Sequence, residues 1–252
     1  MLQLATRENE PVPEEAAATV AEFIRRRMTG ESVARIIGER EFYGLAFKLN
    51  AATLEPRPDT ELLVELALGA LPAAGRLLDL GTGTGCIPIA ILANQPDATA
   101  VAVDLSADAL GAARDNAERH GVNGRIEFLQ GSWFEPLEPS SLKGDRGEVP
   151  MFDLIVSNPP YITSAVVETL EPEVRDFDPR LALDGGPDGL APYRIIAAQA
   201  AEWLRPGGWL MVEIGHDQGA AVSALFIEAG FADLAVHRDL NGLDRVVTAH
   251  YM

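Results

Sequence analysis

The run Phe152-Asp153-Leu154-Ile155-Val156 ends in Ser157-Asn158-Pro159-Pro160-Tyr161, and this ending constrains the fold more than any other stretch of the chain. An apolar run that halts at two prolines reads as a buried parallel strand reaching its carboxyl edge. Proline fixes φ and carries no N–H, so Pro159-Pro160 cannot continue the strand. Each proline also keeps the residue before it out of the helical region, which stiffens the turn. The expected result is a rigid shelf on which the Asn158 amide, one or two unpaired carbonyls and the Tyr161 ring face a common point. In open α/β sheets, that point is where ligands bind. An asparagine oxygen and a main-chain carbonyl are both acceptors, so together they can hold the two hydrogens of an NH2 group. The aromatic ring suits the flat face of a planar group. An ordinary strand-to-loop turn uses the same residue types, so the rest of the chain has to decide.

Strand and helix patterns alternate around that shelf. Arg76–Leu80 reads as a short apolar strand, followed by Gly81-Thr82-Gly83-Thr84-Gly85 and a helical pattern over Cys86–Ala93, with Pro88 tolerable in its first turn. A strand over Thr99–Val103 closes on Asp104, and a helix over Ala107–His120 follows. Ile126–Leu129, then the loop Gln130–Pro150, lead into the strand that ends at the shelf. Beyond it, Glu168–Pro192 is an acidic, proline-rich excursion, read either as a cover for a bound peptide or as a solvated connection. A helix over Leu190–Leu204, a strand over Trp209–Ile214 and a helix over Gln218–Ala229 complete the alternation. Phe231–His237 and Arg245–Tyr251 look like a closing antiparallel pair around Asn241-Gly242. This order predicts right-handed crossovers and a parallel sheet covered on both faces.

The N-terminal region differs in character. The first dozen residues read as frayed. Apolar positions recur at helical spacing over Glu14–Met28, and a second short helix spans Ser32–Ile37. These pieces cannot bury a core alone, so they must pack on the main domain or belong to a larger helical module. Phe42–Leu54 is consistent with a β-hairpin. In the loop Glu55–Glu61, either Asp59 or Thr60 is placed to cap a helix running to Ala70. The same loop carries Arg57 and reads equally as a ligand cover or a solvated linker.

Composition narrows the function. Of 252 residues, 47% are hydrophobic and 23% charged, which is ordinary for a soluble globular protein. No apolar stretch approaches the roughly 20 residues of a membrane span, and no secretory signal opens the chain. The lone Cys86 excludes an intrachain disulfide and fits a reducing cytoplasm. Four scattered histidines give no metal-site spacing, so no metal is expected. A net charge of −18 argues against a protein that grips duplex nucleic acid by its phosphates.

A glycine-rich turn between a strand and a helix lets the backbone approach a ligand closely. The acidic Asp104 at the next strand end is placed for a ribose diol. A dinucleotide fingerprint would need glycine at position 86 or 88, where Cys86 and Pro88 stand. With Asp79 ahead of it, the loop looks instead like the S-adenosylmethionine loop of Rossmann-like methyltransferases. Trp133, after the third strand, is placed to flank an adenine, although a lone Trp in a loop also serves as a core plug. Cys86 has no neighbour in sequence to activate it and reads as an inert buried thiol.

Together these residues resemble the HemK/PrmC family, the protein-(glutamine-N5) methyltransferases that modify peptide-chain release factors. The resemblance rests on Gly38–Gly44, Pro56–Glu61, Asp79–Gly85, Gly131-Ser132-Trp133 and Asn158–Tyr161, and on the tail from Glu173 to Arg194. It implies a Rossmann-like class I fold: a mostly parallel seven-stranded sheet with an antiparallel C-terminal strand. The expected organisation is a short helical segment over 1–38, a hairpin linker over 39–58 and the methyltransferase domain over 59–252. It further implies that Asp79, Gly81, Thr82, Gly83, Thr84, Gly85, Asp104, Trp133 and Asn158 contact S-adenosylmethionine. Asn158, Pro159, Pro160 and Tyr161 would hold the glutamine of a Gly-Gly-Gln loop, with Asn158, Pro159 and Tyr161 at the reacting amide. Family members carry a larger N-terminal helical domain, whereas here little more than Glu14–Ile37 precedes the hairpin. The rival reading is an adenine-N6 nucleic-acid methyltransferase, because the same shelf suits any planar exocyclic amine. The net charge opposes it. A silent binding protein would show a degraded shelf or loop, and both are intact.

Overall fold

The computed structural model describes residues 11–137 and 151–252. The expected fraying of the first dozen residues falls largely outside that range, as does much of the loop expected over Gln130–Pro150. The chain opens with helices α1 (Glu14–Met28) and α2 (Val33–Ile37) and the hairpin β1 (Glu39–Phe42)–β2 (Leu45–Lys48). Helix α3 (Glu61–Ala70) leads into β3 (Arg76–Leu80), α4 (Cys86–Asn94), β4 (Thr99–Asp104), α5 (Ala107–Arg119), β5 (Ile126–Gln130) and β6 (Phe152–Ser157). Two single-turn helices follow, α6 (Ser164–Val167) and α7 (Pro172–Arg175). The chain then forms α8 (Ala191–Gln199), β7 (Leu204–Glu213), α9 (Gly219–Glu228), β8 (Ala232–Arg238) and β9 (Asp244–His250).

Seven strands form one sheet in the order β5-β4-β3-β6-β7-β9-β8. The first five in that order are parallel, and β9 runs antiparallel to both β7 and β8. Side chains alternate between the two faces, as the strand period requires. In β3, Leu77 joins the apolar layer beneath α3 and α4, while Leu78 and Leu80 join the layer beneath α8 and α9. Helix α4 is buried along nearly its whole length, which explains its all-apolar sequence. The hairpin seals the first layer with Phe42 and Phe47, packed edge to face at 6.1 Å.

Three expectations need correction. The hairpin turns at Tyr43-Gly44 and occupies Glu39–Lys48, not Phe42–Leu54. Tyr43 (φ 51°) and Gly44 (φ 73°) are both left-handed, the twist that closes a two-residue hairpin. Residues 49–54 instead form a turn in which Asn50 Oδ1 accepts from Ala52 N at 2.9 Å. Helix α8 stops at Gln199, because Phe152 N donates to Trp203 O at 2.8 Å and draws the chain into β7 five residues early. The Thr60 hydroxyl does not cap α3: Thr60 is itself in the helical region, and its oxygen accepts from Asn158 Nδ2 instead of from a helix N–H. Helix α1 buries no residue. It is held by polar contacts, among them Arg26 Nη1 to Ile36 O at 3.2 Å and Arg27 to Glu173 at 2.7 Å.

One buried ion pair joins the N-terminal elements to the excursion after β6. Asp178, 3% exposed, accepts from Arg35 Nε at 3.2 Å and from Arg57 Nη2 at 2.8 Å. Arg35 also donates to the carbonyls of Asn50 and Thr53. Removing one member of such a pair strands a desolvated charge. Asp178→Ala should therefore lower stability by about 3–5 kcal/mol in urea unfolding, with Arg35→Ala/Asp178→Ala losing less than the sum of the singles.

Candidate active site

The carboxyl ends of the parallel strands open onto a cleft of about 600 Å³. Its floor is the turn after β3. Gly81 N and Thr82 N both donate to Val103 O, at 2.9 and 3.0 Å, which folds the turn back over β4. Gly85 closes it at φ 77°, where a Cβ would come within 2.9 Å of Ile89 Cδ1. Only glycine meets both demands. Asp104 accepts Gly83 N at 2.8 Å on Oδ2 and Ser106 N at 2.9 Å on Oδ1. Each oxygen keeps lone pairs for a donor in the cleft. Trp133 stands on the cleft wall at φ 51°, a conformation that bulky residues avoid and that clusters at ligand sites.

Beneath the floor lies Asp79, fully buried, with no hydrogen-bond partner on either oxygen among the described residues. Burial pushes its carboxyl up to about 7, and the Asp104 carboxylate adds to the rise; the Thr82 hydroxyl, also without a partner among the described residues, lies near enough to oppose it but makes no hydrogen bond. A buried orphan carboxylate under a glycine-rich turn suits a ligand that brings positive charge and N–H groups. S-adenosylmethionine has both, so the residues present fit that cofactor.

The shelf forms the adjoining wall. Ser157 Oγ donates to Leu80 O at 2.7 Å, locking the end of β6 to β3. Asn158 Nδ2 donates to Thr60 Oγ1 at 3.2 Å, which leaves Oδ1 as the free acceptor of the amide. The excursion packs onto the shelf from outside. Ile162 N donates to Leu183 O at 3.0 Å, Gly185 N to Ile162 O at 2.8 Å, and Gln218 Nε2 to Tyr161 O at 3.0 Å. At Gly189, with φ 72°, a Cβ would lie 2.4 Å from Tyr161 O, so only a bare backbone fits there.

Gly81, Thr82, Gly83, Thr84, Asp104, Trp133, Asn158 and Pro160 all line this one cleft. Asp79 and Gly85 support it from below. Pro159 and Tyr161 are not among the lining residues, and the Tyr161 ring lies beside Gly215, its hydroxyl pushed up to about 12 by burial. The loop carrying Arg57 is a cleft wall rather than a linker, and so is the excursion, through Pro179, Leu181 and Asp184. Cys86 is buried, and burial raises its thiol to about 12, consistent with an inert group. The sequence reading missed Glu213, a fully buried carboxyl at the end of β7, and the role of Thr60 between it and Asn158. An acidic residue closing an apolar strand, as Asp79 also does, was the available signal. Among the described residues, no cluster of His, Cys, Asp and Glu has metal-site geometry, and no helix is long and apolar enough to cross a membrane.

Comparison with known proteins gives the family. Residues 57–171 match the family model described as Methyltransferase small domain, and residues 1–38 match the PrmC N-terminal domain. A solved methyltransferase from Pyrococcus furiosus superposes with a TM-score of 0.57 at 14% identity, covering 91% of this chain and 98% of that one, which speaks to the fold. The chain is a class I S-adenosylmethionine-dependent methyltransferase. The release factor glutamine methyltransferase of Agrobacterium fabrum is 49% identical over 94% of this chain and 81% of its own length. That of Geobacter sulfurreducens is 48% identical over 93% and 78%. The chain belongs to the release factor glutamine methyltransferase family.

The raised Asp79 carboxyl gives a pH-dependent test. A carboxyl whose folded pKa lies above its unfolded value contributes fully at acid pH and loses that contribution as pH rises through about 7. Asp79→Asn should therefore be more stable than the parent above neutral pH, by up to about 4 kcal/mol, with the difference shrinking toward pH 4. Thermal unfolding across pH measures this, and calorimetry should find weaker S-adenosylmethionine binding by the same variant.

Proposed function

We propose that this cleft methylates the N5 nitrogen of a glutamine side chain in the Gly-Gly-Gln loop of a peptide-chain release factor. The observation that carries the proposal is the Asn158 amide, fixed by Thr60 with its oxygen free, on a wall shared with the cofactor floor. Asn158 Oδ1, on the cleft wall, and the carbonyl of the adjoining Pro159 would supply two acceptors for the two hydrogens of a primary amide. Pro160 shapes the slot, and Tyr161, packed behind it beside Gly215, keeps those acceptors in place. S-adenosylmethionine, when bound, supplies a methyl group on a sulfonium, ready for transfer to a nucleophile. Asp79, the turn Gly81–Gly85, Asp104 and Trp133 would hold it, with Asp104 toward its ribose and Trp133 toward its adenine.

An amide nitrogen is a poor nucleophile because its lone pair is delocalised into the carbonyl. Holding both N–H hydrogens from fixed acceptors favours a geometry in which that delocalisation is reduced. Positioning of this kind contributes on the order of 7–11 kcal/mol in well-aligned reactions. The excursion and the Arg57 loop flank the same space and limit access of water. The acidic surface suits a protein partner better than duplex nucleic acid.

Transfer of labelled methyl to a purified release factor tests the reading, beside a target with the glutamine replaced by alanine and beside duplex DNA. Label is expected on the intact factor alone, at the glutamine side chain; label on DNA would overturn it. Asn158→Ala should reduce kcat on the order of 100-fold with the unfolding temperature nearly unchanged. Unaltered turnover by that variant would remove Asn158 from the reaction.

A further inference from the structure

Asparagine presents an acceptor on one side of its amide and a donor on the other, and a 180° flip exchanges them with almost no change of shape. The proposed reaction needs the oxygen toward the substrate. An amide oriented the other way would point its own NH2 at the substrate NH2. The shelf must therefore contain something that tells the two orientations apart.

Thr60 alone cannot do so. A hydroxyl donates one hydrogen bond and accepts others, so it satisfies either end of the Asn158 amide. Its direction is set from behind. Thr60 Oγ1 donates to Glu213 Oε2 at 2.6 Å, and Glu213 is 1% exposed. A carboxylate only accepts, so the hydroxyl proton is committed to it and Thr60 turns lone pairs toward Asn158. The sole partner Asn158 can then offer is Nδ2, as observed at 3.2 Å.

We infer that Glu213, acting through Thr60, is the positioning residue that sets the orientation of the Asn158 amide. This rests on the reading of Asn158 as the substrate-amide acceptor. The relay works in one protonation state. A protonated Glu213 can donate to Thr60, which releases the Thr60 proton toward Asn158 and stabilises the flipped amide. Burial raises the Glu213 carboxyl to about 7, with the Asp59 carboxylate adding to the rise, while the Thr60 hydroxyl, Arg245 and the Asn158 amide oppose it. Asp79, two strands away, is raised into the same range, and Glu213→Gln leaves it in place as the control. Tyr161 and Cys86 are pushed up to about 12 by burial, and Tyr193, whose hydroxyl donates to the Glu213 carbonyl at 2.8 Å, is raised further. Arg245, paired with Asp59 at 3.2 Å and Asp239 at 3.1 Å, stays charged.

At saturating cofactor, kcat of the parent should rise with pH through about 7 and level off. Glu213→Gln should remove that acid limb and lower kcat about tenfold or more, without raising the KM for S-adenosylmethionine. Thr60→Val, which keeps the shape and deletes the hydroxyl, should behave alike. Thr60→Ser should restore most of the loss. A pH profile and kcat unchanged in folded Glu213→Gln or Thr60→Val would overturn the relay, as would a Thr60→Ser no better than Thr60→Val. A second readout needs no substrate: the side-chain NH2 resonances of Asn158, assigned by their disappearance in Asn158→Asp. They should shift with a midpoint near the kinetic one in the parent and stay flat in Glu213→Gln. A flat response in the parent also overturns the inference. Because this measurement works on the free enzyme, a failure of the release-factor assay would leave it interpretable.

Discussion

Parallel strands that end at a common edge leave main-chain groups with no neighbour to pair with, and buried polar groups must be paired. How this chain meets that requirement decides where its cleft lies. The N–H groups of Gly81 and Thr82 turn sideways onto the last carbonyl of β4's apolar run, at Val103, and Gly131 N reaches Asp104 O. Ser157 reaches across to Leu80, and Ile214 N is taken by Arg245 O from the antiparallel strand. The chain leaves the strand ends at these bonds. The cleft opens there, and its outer side is closed by segments far away in sequence.

Two fully buried carboxyl groups sit at that edge, and their surroundings divide the work between them. Asp79, at the end of β3, has no hydrogen-bond partner among the described residues and lies under the turn that suits a cationic cofactor. Glu213, at the end of β7, is hydrogen-bonded to Thr60 and faces Arg245. Desolvation raises both to about 7, so both weaken the fold when ionised. A protein of net charge −18 has no shortage of carboxylates for its surface. Keeping two of them in the interior trades stability for directed electrostatics within the cleft, which is common where charge must be recognised.

The parts of this picture that were legible in the sequence are those set by neighbours in the chain. The strand ending at Pro159-Pro160, the Gly81–Gly85 turn and Asp104 each announce their position through periodicity and turn chemistry, and the structure brings all three to one cleft. The parts that were not legible depend on contacts across long separations. Thr60 stands 153 positions from Glu213 and 98 from Asn158, so its local sequence showed only a plausible helix cap. The excursion after the shelf read equally as a cover or a solvated connection, because Asp178 meets Arg35 across 143 positions. The hairpin was placed too late because Tyr43 adopts a conformation its residue type disfavours, stabilised by Glu61 from outside the hairpin.

The close approach at Gly185, where a Cβ would lie 2.7 Å from Pro160 O, bounds the cleft beside the shelf. Shelf and excursion meet there backbone to backbone, with the Gln218 side chain bridging Tyr161 O and Gly189 O behind them. A gap bounded by side chains can widen by rotamer changes, whereas one bounded by main chain is fixed by covalent dimensions. On that side the slot beside Asn158 has a main-chain wall, which repacking of the apolar layers leaves in place. What the slot admits there is decided by bond lengths and ring planes rather than by the softer compromises of a packed core.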